Sequence, residues 1–262
     1  MSHSIERTMV DMKEYKEKER EHRSNLIVDA AEKQFFAREY DAVSMDEIAA
    51  EVGLSKAALY RYFANKEALY CAVVLRGTRI LAGMLGDAMD CAPTTIGKVI
   101  AYRDVCDEFA TTYPDYQKCC NFMMSGRFDP ASLMAHRDIH EIGQLMTEMF
   151  VRFRDAIQAG IDDGSIRSDV EPEELAVLLS IISDGITNLR PDLQMILAGR
   201  GVDREKFSRD VRRLVTVMIA NPGLESGPGR QTRADREAGR PETDAAGADD
   251  RTQGTGSDPT IR

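Results

Sequence analysis

The sequence predicts an all-α fold, in which a small N-terminal domain of three helices precedes a larger helical domain. Apolar residues recur at intervals of three and four over most of the chain, as on one face of an α-helix. Proline and glycine interrupt these stripes where helices are expected to end. No stretch of useful length alternates between apolar and polar residues, so no β-sheet is expected.

Composition restricts the classes of protein that the chain can represent. Its 262 residues suffice for one small and one larger domain, and no run of about 18 apolar residues predicts a membrane span. The charged segment 1–23 lacks the apolar core of a secretory signal and is interpreted as an N-terminal extension. The 5 cysteines have no CxxC spacing, which disfavours a disulfide framework or a zinc site. We therefore expect a cytoplasmic protein without a membrane partner, metal or cofactor.

The net charge of −10 disfavours wholesale binding to nucleic acid, because lysine and arginine are needed to neutralise phosphates. The distribution of charge is more informative than its sum. From Leu54 to Lys66 the charged residues are Lys56, Arg61 and Lys66, with no acid among them. A local basic surface is therefore predicted on an acidic protein.

The small domain is predicted to span residues 24–69. Apolar residues within 30–36 give its first short helix an apolar stripe. Ser44 and Glu47 have the Ser-x-x-Glu spacing of a capping box and predict the start of the second helix. Ser55 is a candidate N-cap for the third.

The larger domain is predicted to span residues 70–221 and to be almost entirely helical. Apolar stripes within 142–157, 175–189 and 207–218 predict three of its helices. Helix breaks are expected at Cys91-Ala92-Pro93, Tyr113-Pro114, Asp129-Pro130, Asp163-Gly164 and Arg190-Pro191. Residues 222–262 mix proline, glycine and charge without any aromatic residue, so they are predicted to be a disordered tail.

The most informative stretch runs from Ser44 to Phe63. Ala49, Gly53 and Leu59 have the spacing of a helix-turn-helix. A small residue lets two helices cross closely, a glycine takes the left-handed turn, and an apolar residue on the second helix closes the core. This pattern predicts a DNA-reading unit.

The second helix of this unit is predicted to enter the major groove. At its N-terminal end Lys56 can donate to guanine, and a neighbouring alanine can touch a thymine methyl. Of Tyr60 and Tyr62, we expect one to pack on the domain and the other to reach phosphate. An ordinary solvated helix face is the alternative. The predicted DNA-binding residues are Ser44, Lys56, Ala57, Ala58, Tyr60, Arg61, Tyr62 and Lys66.

This stretch resembles the TetR family of bacterial regulators. The matching segments are 27–36, 40–49 and 53–69, which lie in one continuous register over a span of about 45 residues. A looser match at 159–172 resembles the turn before the dimerisation helices of the family. The resemblance implies DNA contacts at Ser44, Lys56, Tyr60, Tyr62 and Lys66, followed by a domain that dimerises and senses a small molecule.

The chain departs from the family pattern at four positions. Glu39 stands where the family usually has glycine, which predicts a strained or differently shaped turn. Gln34 takes a usual leucine position and is expected at the edge of the small core. Ala57 and Ala58 replace a common glycine and threonine, which changes the sequence that the helix reads.

A cluster of methionine and aromatic residues lies within 109–153. Methionine suits pockets for varied apolar ligands, although plain core is the alternative for most of these side chains. His136 and His140 have metal-ligand spacing but no obvious third ligand, so no metal site is predicted. Asp184 suits a dimer interface as well as a pocket. The predicted ligand-binding residues are Phe109, Tyr113, Asn121, Met123, Met124, His140, Met146, Phe150, Asp184 and Asn188.

The last apolar stripes predict a homodimer through Leu178, Ile182, Gly185, Leu189, Val211, Leu214 and Met218. The sequence thus predicts a transcriptional regulator, a repressor that a small, mainly apolar ligand releases from a palindromic operator in double-stranded DNA. A DNA-associated structural or cell-division factor without an inducer is the alternative. An enzyme is a third possibility that the motifs disfavour, because no nucleophile–base, Walker or dinucleotide-binding motif occurs.

Overall fold

A computed structural model describes the backbone of residues 2–222 and the side chains of residues 12–222. The described part is helical, with an isolated β-bridge between Ile166 and Ala220, and the all-α prediction is confirmed. The predicted disordered tail lies outside the described residues apart from Pro222. The helices are α1 (Ser2–Ala37), α2 (Met45–Glu51), α3 (Lys56–Tyr60), α4 (Lys66–Cys91), α5 (Thr95–Thr112), α6 (Pro114–Met124), α7 (Pro130–Met134), α8 (Arg137–Asp162), α9 (Pro172–Thr187), α10 (Pro191–Ala198) and α11 (Arg204–Ile219).

Each predicted break separates two helices. Pro114, Pro130 and Pro191 are the first residues of α6, α7 and α10, where a missing backbone N–H leaves no helical hydrogen bond unmade. Gly164 follows the end of α8 with a φ of 77°, which a residue without a Cβ adopts readily. The local chemistry of proline and glycine therefore sets these boundaries.

The first helix is longer than predicted. Segment 1–23 was expected as a separate lead-in before a short helix, but residues 2–37 form one continuous helix. Neither proline nor glycine occurs within it to end the helix. Residues 12–23 are exposed, and ion pairs such as Lys18 Nζ to Glu14 Oε1 at 2.7 Å lie along the surface of the helix. This part is a solvated helix, as its alternating charges predict.

The small domain closes around a compact apolar core. Ile27, Ala31, Ile48 and Leu59 are completely buried and join α1, α2 and α3. This core continues without interruption into α4 and α6, because the same cluster includes Leu69, Val73, Cys119 and Met123. The predicted boundary between residues 69 and 70 falls inside α4, so a continuous helix rather than a linker connects the two predicted domains.

A second apolar cluster holds the C-terminal helices together. It joins α5, α8, α9 and α11 through buried side chains such as Phe153, Leu175 and Ile219. Among the described helices, α4 alone is long and apolar enough to cross a membrane, and half of its most apolar 18-residue window is buried in the protein. Its contacts with α5, α6 and α8 make it a core helix.

Candidate nucleic-acid interface

Helices α2 and α3 form the predicted helix-turn-helix. Ala49 is 2% exposed where the helices cross, and Leu59 on α3 is completely buried. Gly53 has a φ of 68° in the turn between them, and the Leu54 N–H donates to the Ala49 carbonyl at 2.8 Å. A Cβ at Gly53 would meet no atom within 4 Å, so the backbone conformation rather than space favours glycine there.

Ser44 caps α2 through the predicted capping box. Its hydroxyl accepts from the Glu47 backbone N–H at 3.2 Å and donates to Glu47 Oε2 at 2.9 Å. Arg38 also binds this carboxylate, with both guanidinium nitrogens 3.1–3.2 Å from its oxygens. These hydrogen bonds, first from Arg38 and then from Ser44, lower the pKa of Glu47 from 4.5 to about 2. The single hydroxyl proton of Ser44 is therefore donated to Glu47 within the protein.

The N-terminal end of α3 is open to solvent. Ser55 caps it by accepting from the Ala58 N–H at 3.2 Å. Lys56, Ala57, Tyr60 and Arg61 are exposed, whereas Ala58 is half-buried. Among the described residues Arg61 has no ion-pair partner. The helix thus presents one small, one aromatic and two cationic side chains on the surface that the motif offers to DNA.

Lys56 makes a contact across the turn that sequence reasoning missed. Its ammonium lies 2.9 Å from Oδ1 and 3.0 Å from Oδ2 of Asp46, in the first turn of α2. The hydrogen bond to this carboxylate raises the pKa of Lys56. The segment from Leu54 to Lys66 has no acid in sequence, but the fold places one beside it. Only the helix-turn-helix geometry, which brings the starts of α2 and α3 together, predicts this pair.

Two predicted DNA-contact residues, Lys66 and Tyr62, pack against the small domain. Lys66 Nζ donates to the carbonyl oxygens of Tyr40 at 2.9 Å and Val43 at 3.0 Å, and lies 4.2 Å from the centre of the Tyr40 ring. Tyr62 is half-buried against the same core, whereas Tyr60 is exposed. Tyr62 is thus the tyrosine that packs on the domain, and a phosphate contact by Tyr60 stays a prediction.

The two remaining departures from the family pattern have simple structural outcomes. Glu39 has a φ of −63° and a ψ of 148°, an extended conformation, so of the two predicted outcomes, a strained or a differently shaped turn, strain is absent. The chain leaves α1 by an extended segment, which any residue can adopt. Gln34 is half-buried at the edge of the core, as predicted, and donates to Glu51 Oε2 at 2.7 Å.

The predicted ligand residues are spread over several environments. Phe109 and Met123 are buried in the first apolar cluster with Tyr113 at its margin, and Phe150 packs on the second cluster. The rest are exposed: Asn121, Met124, His140, Met146, Asp184 and Asn188. Asn121 Nδ2 donates to Asn188 Oδ1 at 2.5 Å and joins α6 to α9. The ten residues thus divide between packed clusters and the surface of the described chain.

The described part of the larger domain has a surface cleft but no metal-binding group of side chains. A surface cleft of about 250 Å³ lies among α4, α5 and α8, and its walls include Lys98, Arg152 and Asp155 but none of the predicted ligand residues. Within residues 12–222, no group of three or more histidine, cysteine, aspartate or glutamate side chains is arranged to hold a metal ion.

The predicted dimer residues lie on or beside an accessible apolar surface. Leu178 and Leu214 are 44% and 62% exposed, and Gly185 is exposed. Ile182, Leu189, Val211 and Met218 are half-buried. Val177, Ile181 and Val217 are exposed apolar residues of α9 and α11 that were not predicted. Each of them directly precedes a predicted dimer residue in the sequence and widens the apolar stripe of its helix. This wider stripe is the sequence signal that could have identified them.

The fold and the exposed end of α3 define a helix-turn-helix unit, a motif that DNA-binding proteins place in the major groove. Residues 27–73 match the family model described as bacterial regulatory proteins, tetR family. The similarity to this family is confined to the segment that contains the end of α1, α2, α3 and the start of α4.

The similar proteins agree with this assignment. An uncharacterized HTH-type transcriptional regulator of Mycobacterium tuberculosis is 48% identical over 58 residues, which cover 22% of this chain and 29% of that protein. The HTH-type transcriptional activator FasR of Mycolicibacterium smegmatis is 46% identical over 56 residues, 21% of this chain and 25% of FasR. The chain thus matches less than a third of the length of these relatives.

The structural likeness covers more of the chain. The crystal structure of AibR in complex with isovaleryl coenzyme A and operator DNA has a TM-score of 0.55 and 18% sequence identity, covering 76% of this chain and 99% of that one. At this identity the likeness establishes the fold, including the helical domain that follows the helix-turn-helix.

Proposed function

We propose that the protein is a sequence-specific transcriptional repressor that binds double-stranded DNA through α3. The exposed face formed by Lys56, Ala57, Tyr60 and Arg61 carries this proposal. A helix with cationic ends and a small residue between them approaches base edges closely in the major groove. The negative net charge of the whole chain repels DNA elsewhere, so binding concentrates on this face.

The operator is palindromic because the protein acts as a homodimer. Val177, Ile181, Leu214 and Val217 on α9 and α11 are 48–65% exposed, and such exposed apolar side chains on two helices favour an association site. Packing α9 and α11 of one copy against those of a second copy buries these side chains. A two-fold axis through that interface presents two copies of α3 to two inverted half-sites about one DNA turn apart.

A small, mainly apolar ligand releases the protein from its operator in the cytoplasm. The support is the methionine and aromatic content between Phe109 and Phe153, together with a structural neighbour crystallised with isovaleryl coenzyme A and operator DNA. Acyl-CoA-like, lipid-like and aromatic compounds are therefore the first classes to test. No enzymatic activity is proposed.

A second candidate is a DNA-associated structural or cell-division factor that has no inducer. The observation that favours it is the position of the ten predicted ligand residues, which divide between packed clusters and the surface. A protein of this kind keeps the reading face and the dimer, and no small molecule alters its affinity for DNA.

Selection from a random-sequence DNA library tests the DNA-binding proposal directly. The full chain is expected to enrich an inverted repeat, and Arg61→Ala is expected to bind that repeat more weakly. The matched control is Arg200→Ala, an exposed arginine of the α10–α11 connection, which should bind like the parent. Enrichment of no sequence, or equal binding by all three proteins, would contradict the proposal.

A thermal-shift screen separates the two candidates. Compounds of the proposed classes that raise the melting temperature are tested for release of the enriched DNA sequence. Stabilisation with release supports the ligand-controlled repressor. Stabilisation without any change in DNA affinity, or a screen without stabilising compounds, favours the factor without an inducer.

A further inference from the structure

The contact between Asp46 and Lys56 is not explained by the stability of the fold. Their side chains are 62% and 61% exposed, and exposed ion pairs contribute little to stability. Helix α2 is already capped by Ser44 and Glu47, and Glu47 also supplies a negative charge to its first turn. An acid beside the reading helix weakens attraction to phosphates. The position of Asp46 is therefore better explained by a favourable contact with DNA.

The geometry of the pair matches one base pair. In the major groove, guanine offers O6 and N7 as acceptors, and cytosine offers the N4 amino group as a donor. Guanine O6 and cytosine N4 are hydrogen-bonded to each other at about 2.9 Å, the usual N–H···O distance. Lys56 Nζ and Asp46 Oδ1 are also 2.9 Å apart, which places one donor and one acceptor at the same spacing.

We propose that Asp46 is a specificity-determining residue, and that the Asp46–Lys56 pair reads one G·C base pair as a unit. Lys56 donates to guanine while the Asp46 carboxylate accepts from cytosine N4. The carboxylate also repels phosphate and the acceptor groups that other base pairs present at this position. This inference rests on the proposed sequence-specific binding and adds the identity of a second reading side chain.

The exposure of neighbouring residues permits this contact. Ala57 follows Lys56 and carries only a methyl group, so the base edge can approach both members of the pair. Glu47, the next acid along α2, is held by Arg38 and Ser44 and is directed into the capping box. Asp46 is therefore the acid of α2 that is paired with a reading side chain.

The test compares Asp46→Asn with a matched loss of charge at Glu51→Gln. Glu51 lies at the opposite end of α2, where Gln34 and Lys33 bind it. Each purified full-length variant is subjected to library selection and to anisotropy titrations with the enriched DNA and with random DNA. Asp46→Asn is expected to lose the preference for one G·C pair in each half-site, by roughly tenfold. It should also bind random DNA more tightly, whereas Glu51→Gln keeps the preference.

A double-mutant cycle tests whether the two residues act as a unit. Lys56→Met should lose the same base preference, and Asp46→Asn combined with Lys56→Met should lose little more than either single variant. Circular dichroism melts verify that each variant folds. An unchanged base preference in Asp46→Asn, or equal effects of Asp46→Asn and Glu51→Gln, would overturn the inference. A parent protein that enriches no sequence would instead overturn the proposed function beneath it.

Discussion

At the scale of single residues, the sequence predicts where a side chain lies along a helix better than it predicts the direction in which that side chain points. The spacing of Ser44, Glu47 and Gly53 was sufficient to predict a cap and a turn, because such features depend on local backbone geometry. It was insufficient for Lys66, whose ammonium turns inward to the Tyr40 and Val43 carbonyls. The direction of a long flexible side chain depends on its acceptors, which here come from the α1–α2 connection, and the sequence pattern does not show which carbonyl groups lie within reach.

Lys66→Met is expected to destabilise the protein. The substitution keeps most of the apolar stem but removes two hydrogen bonds from a charged donor and leaves two carbonyl groups without that partner. A loss of about 2 kcal/mol in unfolding free energy is expected, since hydrogen bonds to charged groups contribute more than neutral ones. Lys56→Met is the control, because that side chain is exposed, and urea titrations of both variants provide the comparison. Equal stability of the two variants would refute a structural role for Lys66.

The capping box predicts a specific pH dependence. The pKa of Glu47 is lowered from 4.5 to about 2, so its ionised form stabilises the folded state. That contribution is complete above about pH 4.5 and is lost as the pH falls towards 2. Glu47→Gln should therefore be less stable than the parent at pH 7, and the difference should shrink on acidification through this range. Denaturant titrations at several pH values measure it, and a difference that does not vary with pH would be inconsistent with this assignment.

At the scale of helices, the sequence was most informative where proline or glycine interrupts the chain. The starts of α6, α7 and α10 follow from proline chemistry alone. Helices α1 and α4 run past a predicted domain boundary because neither proline nor glycine stands at the boundary that each of them crosses. Apolar stripes located α9 and α11, but not which part of each stripe faces the core and which faces solvent.

The apolar faces of α9 and α11 predict the oligomeric state. Ile181→Glu and Leu214→Glu each place a charge on a side chain that is 63% or 62% exposed in the single chain. A charge buried in a dimer interface without a partner is strongly unfavourable, so both variants should be monomers at concentrations where the parent is a dimer. Val151→Glu on α8, at a residue 40% exposed, is the matched control. Light scattering gives the masses, and a parent that is monomeric at micromolar concentration would exclude the proposed dimer.

At the scale of the whole molecule, the reading unit and the helical domain are one packed body. The ring of Tyr40, near the start of the reading unit, lies 5.4 Å from Phe122 on α6 and 5.1 Å from Phe128 after it. Tyr116 on α6 donates to Glu32 on α1 at 2.5 Å. No periodicity in the sequence predicts these contacts, because they join segments about 80 residues apart in the chain.

This continuity predicts reciprocal effects of ligand and DNA. A compound that weakens operator binding by a given factor must itself bind more weakly to the operator complex by the same factor. Calorimetric titration of the compound into free protein and into the complex with enriched DNA measures both sides. Compounds that shift only one of the two equilibria would show that they act without linkage, for example by aggregating the protein.

Helix α4 has a mechanical consequence for operator choice. Its 26 residues correspond to a rod about 39 Å long, with the reading unit at one end and the contacts to α5 and α8 distributed behind it. A tilt of about 5° around the far end moves the near end by about 3 Å, close to the spacing of successive base pairs. In the proposed homodimer, a displacement of this size moves α3 by about one base-pair step relative to its half-site.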